Sequence, residues 1–62
     1  MNTVALAPRR EIEKTAAEAR EHLVALLAAI DGRDLGRTVK TSEKAYLSVG
    51  KLYALARAAE SN

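Results

Sequence analysis

The chain of 62 residues contains no cysteine, no phenylalanine and no tryptophan. Without cysteine it can form neither a disulfide nor a thiolate metal site. A chain this short buries only about 60% of the surface that its unfolded form exposes. A core of that size rarely supplies more than roughly 3–5 kcal/mol unaided. With disulfides excluded, a partner chain is the expected source of further stability. The aromatic residues are Tyr46 and Tyr53, the one proline is Pro8, and the one histidine is His22. The longest apolar run, Leu23 to Ile30, is far shorter than the roughly 20 residues that cross a bilayer. The N-terminal "MNTVALAPRR" has no charged start before an apolar stretch, so it does not read as a secretory signal. The expected location is the cytoplasm, with no membrane partner.

What is present favours helix. Hydrophobic residues make up 48% of the chain, much of it alanine and leucine, which lose little on entering a helix. The formal net charge of +2 is small, and taken globally it is weak evidence for nucleic acid. No repeat or low-complexity segment occurs.

Residues 1–7 read as an N-terminal arm. Pro8 suits the first turn of a helix, where its missing N–H costs nothing. Glu11 and Glu13 follow in the first turns, where acids complement the helix dipole. This helix is expected to run over 8–31. Gly32 is a natural stop, since glycine takes the left-handed conformation that ends helices. Residues 32–40, "GRDLGRTVK", read as a loop with Leu35 tucked back as a plug. The second helix is expected over 41–60, with Thr38, Thr41 and Ser42 each a plausible N-cap.

The periodicity in both segments is of heptad type. Ile12, Ala16, Ala19, Leu23, Leu26 and Ile30 are spaced 4, 3, 4, 3, 4, and Ala45, Val49, Leu52, Ala56 and Ala59 are spaced 4, 3, 4, 3. Such seams let two helices interlock. The expected fold is all-α, an antiparallel two-helix hairpin. Val24, Leu27, Leu47, Ala54, Leu55 and Ala58 widen the seams or lie beyond them, and a lone hairpin cannot cover these residues. A second hairpin can, so the expected assembly is a homodimeric four-helix bundle.

Tyr46, Gly50 and Tyr53 share one helix face, which Arg57 continues. Gly50 leaves a notch between two rings, and a glycine in mid-helix costs roughly 1 kcal/mol relative to alanine. A second helix lying close against Gly50 would offset that cost. The notch therefore marks a contact with a second copy, a contact with a foreign protein, or a flank on which the glycine is merely tolerated. Tyrosine suits interfaces because it buries a large ring and keeps its hydroxyl wet. The candidate protein-interaction residues are Tyr46, Gly50, Tyr53, Leu47, Leu55 and Val24.

A basic stripe is the other candidate surface. Arg37, Lys44 and Lys51 are seven apart, with Lys40 near them. They line one face if the second helix starts early, and such a stripe can follow a phosphate backbone. The plainer reading is a solvated outer face, neutralised in part by Glu11, Glu13, Glu18 and Glu21. No aromatic is interleaved with these lysines as a stacking reader would need.

Catalytic chemistry finds few groups here. His22 lies one turn after Glu18, but two ligands do not make a zinc site. As a base, His22 has no nucleophile on its own helix, because Ser42 and Ser48 belong to the other. "DGRDLG" lacks the Lys-Ser/Thr ending of a phosphate-binding loop, and no strand precedes it. The arm "NTVALA" could pair as a strand in the manner of ribbon-helix-helix regulators, but the first helix is too long for that pattern. No enzyme activity, cofactor or metal is expected. The expected role is that of a self-associating helical protein that binds a larger protein as inhibitor, adaptor or accessory subunit. The alternative is a small dimeric nucleic-acid-binding regulator. In length and architecture the expected dimer is similar to plasmid regulators of the Rop type. No motif aligns with them, and no residue roles are carried over.

Overall fold

The computed structural model describes the backbone of residues 3–61 and the side chains of residues 9–61. Two helices account for nearly all of it: α1, Thr3–Asp31, and α2, Leu35–Ser61. They pack against each other as a hairpin whose connection is Gly32, Arg33 and Asp34.

The hairpin is all-α as expected, and its boundaries differ from the expected ones. Of the expected arm, Thr3–Ala7 continues α1, while Met1 and Asn2 lie outside the described residues. Pro8 is therefore inside α1 rather than in its first turn. Having no N–H, it leaves the Val4 carbonyl without its usual donor four residues on. No strand occurs among the described residues, so the ribbon-helix-helix arrangement has no structural support.

The loop expected over 32–40 shrinks to three residues, because helix end and helix start share their hydrogen bonds. At the end of α1, Gly32 N–H donates to Ala28 O at 3.0 Å, Arg33 N–H to Ile30 O at 3.0 Å, and Asp34 N–H to Ala29 O at 3.1 Å. The last two bonds form a Schellman motif. Its left-handed residue is Arg33, with φ 56°, and not Gly32. Asp34 then caps α2: Arg37 N–H donates to Asp34 Oδ1 at 3.0 Å, the N3-to-N-cap bond. Thr38 and Thr41, read as candidate caps, lie inside α2. Their hydroxyls donate back to the Asp34 and Arg37 carbonyls, each at 2.8 Å. Leu35 does not plug the loop; it is 80% exposed.

The helix–helix seam is rotated from the expected one. Buried along it are Thr15, Ala19, Ala29 and Ala45. Half-buried beside them are Ile12, Ala16, His22 and Leu26 of α1, and Thr38, Thr41, Ser42, Ser48, Leu52 and Leu55 of α2. Ile12, Ala16, Ala19, Leu26, Ala45 and Leu52 were expected there. Leu23, Ile30 and Val49, also expected inside, are 42%, 50% and 42% exposed, and Ala56 and Ala59 are exposed as well. The physical reason is shape. A line of Ala, Ser and Thr lets two helix axes approach closely along their whole length, whereas branched side chains hold them apart. The polar members do not oppose this, because no buried side-chain polar atom among the described residues lacks a hydrogen-bond partner.

The result is a thin rod of 50 × 15 × 12 Å with a radius of gyration of 14.3 Å. A compact chain of this length would have a radius near 10.5 Å, as estimated from the usual scaling. The accessible surface is 5111 Å², whereas a folded monomer of this mass typically exposes about 3,900 Å². The excess is on the order of 1,200 Å².

Candidate interaction site

The rotation of the seam determines what the surface offers. Because α1 and α2 meet along small residues, their large apolar side chains flank the contact instead of filling it. Leu23 and Leu26 of α1 and Tyr46, Val49, Gly50 and Tyr53 of α2 line one open groove of about 730 Å³. Leu47 and Lys51 line it as well. Tyr46 and Tyr53 are 78% and 65% exposed. Gly50 opens the groove between them, since a Cβ at that position would meet no heavy atom within 4 Å.

Four of the six candidate interaction residues are thus brought together: Tyr46, Leu47, Gly50 and Tyr53. Leu55 is half-buried and belongs to the helix–helix seam. Val24 is exposed on the outer side of α1, in a separate hollow with Lys14, Arg20 and Glu21. Leu23 and Val49 were missed as groove residues because their spacing also fits an internal seam. The signal that distinguishes the two seams is side-chain size: Thr15, Ala19, His22, Leu26 and Ala29 repeat just as regularly and are smaller on average.

The basic candidates Arg37, Lys40, Lys44 and Lys51 are all exposed on α2. The start of α2 at Leu35 brings Arg37 into the helix, so Arg37, Lys44 and Lys51 share a face. In the antiparallel pairing set by His22 and Ser48, Glu18 lies one turn before His22 and Lys51 about one turn after Ser48. An acid therefore stands level with the last lysine of the stripe.

One polar pair crosses the seam. His22 Nδ1 and Ser48 Oγ are hydrogen-bonded at 2.7 Å. Sequence reasoning placed the serines on the other helix and found no nucleophile for His22; the fold brings Ser48 to it. The pair has the reach of a base and nucleophile, but it sits mid-helix on both sides. There the backbone N–H groups are held by the helices' own hydrogen bonds and form no oxyanion hole. The bond acts as a clasp between helices. No group of three or more metal-ligating side chains forms among the described residues. No helix among them is long and apolar enough to cross a membrane.

Comparison with protein families, with characterised proteins and with solved structures finds no match to this chain.

Proposed function

We propose that this protein is a non-catalytic interaction module, a helical hairpin that self-associates into a four-helix bundle and binds a larger protein as inhibitor, adaptor or accessory subunit. The observation that carries the reading is the inversion of the hairpin. Its seam is made mostly of small and polar residues, and its large apolar residues line an open groove. A groove of that kind with two exposed tyrosines is the composition of an interface core. Val24, outside the groove, is left for the larger protein once a second hairpin has covered the groove.

Sedimentation equilibrium over a wide concentration range tests the self-association. A species of 6.7 kDa at every concentration would refute it. Affinity capture tests the larger partner. A single retained protein, lost on Val24→Asp with helix content and self-association intact, supports the reading.

The second reading, a nucleic-acid-binding regulator, gains one observation. The early start of α2 makes the stripe of Arg37, Lys44 and Lys51 continuous on one helix face. Duplex or hairpin nucleic acid should then bind, and binding should weaken steeply between low and moderate salt. Lys44→Gln with Lys51→Gln should reduce it further. Absence of both effects excludes this class.

A further inference from the structure

Gly50 lies near the middle of α2, and nothing inside the hairpin approaches a Cβ placed there. The residues that share its helix face are more informative. Glu43 lies seven residues before Gly50 and Arg57 seven after. Two helical turns bring each close to the glycine's own face, about 10.5 Å along the axis on either side. Both side chains are exposed, as are Tyr46 and Tyr53 in the turns between. This face is therefore a second heptad line on α2, outside its seam with α1: Glu43, Tyr46, Gly50, Tyr53 and Arg57, spaced 3, 4, 3, 4.

An acid and a base at equal distances from a central glycine form a surface complementary to itself in one orientation only. Turned end for end about a two-fold axis through Gly50, each Glu43 meets Arg57 of the other copy. Laid parallel, Glu43 would face Glu43 and Arg57 would face Arg57. The same end-for-end rotation sets Tyr46 beside Ala54 and Tyr53 beside Leu47 of the other copy, so both rings gain apolar neighbours. At the axis glycine meets glycine, which allows the closest approach of two helices.

We propose that the occupant of the tyrosine-walled notch is a second copy of this chain, packed α2 against α2 and antiparallel, with Gly50 at the two-fold axis and two Glu43–Arg57 ion pairs flanking it. The inference rests on the self-association proposed above and specifies its geometry. The area agrees with it. The excess exposed surface, on the order of 1,200 Å², exceeds the roughly 800 Å² that each partner contributes to a standard interface. Because Gly50 lies close to the middle of Leu35–Ser61, the two rods overlap over most of their length, with their connections at opposite ends.

Charge exchange tests the arrangement. Dimer dissociation constants are measured by sedimentation equilibrium for the wild type, Glu43→Arg, Arg57→Glu and the double variant, with helix content checked by circular dichroism. Each single change sets like charges together twice in the dimer, and each should weaken association about tenfold. The double variant exchanges the two ends and should return to within about threefold of the wild type. Gly50→Leu, which fills the notch, should abolish the dimer even though leucine is the better helix former. A wild-type dimer that the single changes do not weaken, or that the exchange does not restore, overturns this geometry and leaves self-association standing. A wild-type monomer at all concentrations overturns both and leaves the notch to a foreign protein.

Discussion

Arg33 holds a conformation that a glycine would hold at less cost. Its φ of 56° places its Cβ against the following carbonyl, a penalty of roughly 1–2 kcal/mol for a side-chain-bearing residue. The two Schellman bonds around it, from Arg33 and Asp34, keep it there. Arg33→Gly removes the penalty but loosens the unfolded chain, so the net gain should be about 0.5–1 kcal/mol. Urea denaturation would register it as a higher midpoint with unchanged slope, and an unchanged midpoint would mean that the left-handed turn carries no strain. The clasp between His22 and Ser48 obeys a different asymmetry. Ser48→Ala leaves a half-buried imidazole nitrogen without its partner and should cost about 1 kcal/mol. Replacing both, His22→Leu with Ser48→Ala, leaves no orphaned group and should fall near or above wild-type stability. A double variant no better than Ser48→Ala alone would show that the imidazole contributes through packing rather than through the hydrogen bond.

At the scale of the element, the short connection depends on one side chain. Asp34 accepts from Arg37 N–H through Oδ1 and from the Thr38 N–H and hydroxyl through its carbonyl. Asp34→Ala removes the first of these and should cost about 1 kcal/mol, read as a lower melting temperature with fraying of the first turn of α2 in amide exchange. Loss of stability at Thr41→Ala instead would place the true cap later. The two helices, their antiparallel pairing and the tyrosine–glycine face were legible in the sequence, because each depends on spacing. The start of α2 was not. Thr38, Thr41 and Ser42 have the chemistry of caps, but a threonine hydroxyl in mid-helix satisfies itself on the carbonyl four residues back, as Thr38 and Thr41 do. The orientation of the seam was not legible either. In α1 the pair Leu23 and Ile30 of the expected seam and the pair His22 and Ala29 of the observed one both repeat at seven residues, one position apart. Counting apolar residues selects the first, while closest approach of two bare helices selects the second. The groove became visible only once that choice was made, for Leu23 and Val49 could not serve both the seam and the surface.

For the whole molecule, the question is whether so thin a rod can stand alone. Among the described side chains no leucine, isoleucine or valine is buried; the buried ones are Thr15, Ala19, Ala29 and Ala45. Fully burying one large apolar side chain is worth roughly 1.5–3 kcal/mol, and fixing one residue's backbone costs roughly 1–2 kcal/mol. A seam of alanine and threonine collects little of the first term against the full second. In proteins most helical stability comes from packing an amphipathic face rather than from intrinsic propensity. Folding should therefore be coupled to association, which brings Leu23, Val49 and the two tyrosines out of water. A coupled process depends on concentration. Unfolding of a dimer of two such chains carries an entropy near 0.25 kcal/mol/K on the usual per-residue scale, so a tenfold rise in concentration should raise the melting temperature by roughly 5 °C. Far-ultraviolet circular dichroism melts spanning two decades of concentration measure this directly. A full helical signal with a melting temperature that does not move would mean that the small-residue seam suffices by itself, and the four-helix reading would then lose its energetic basis.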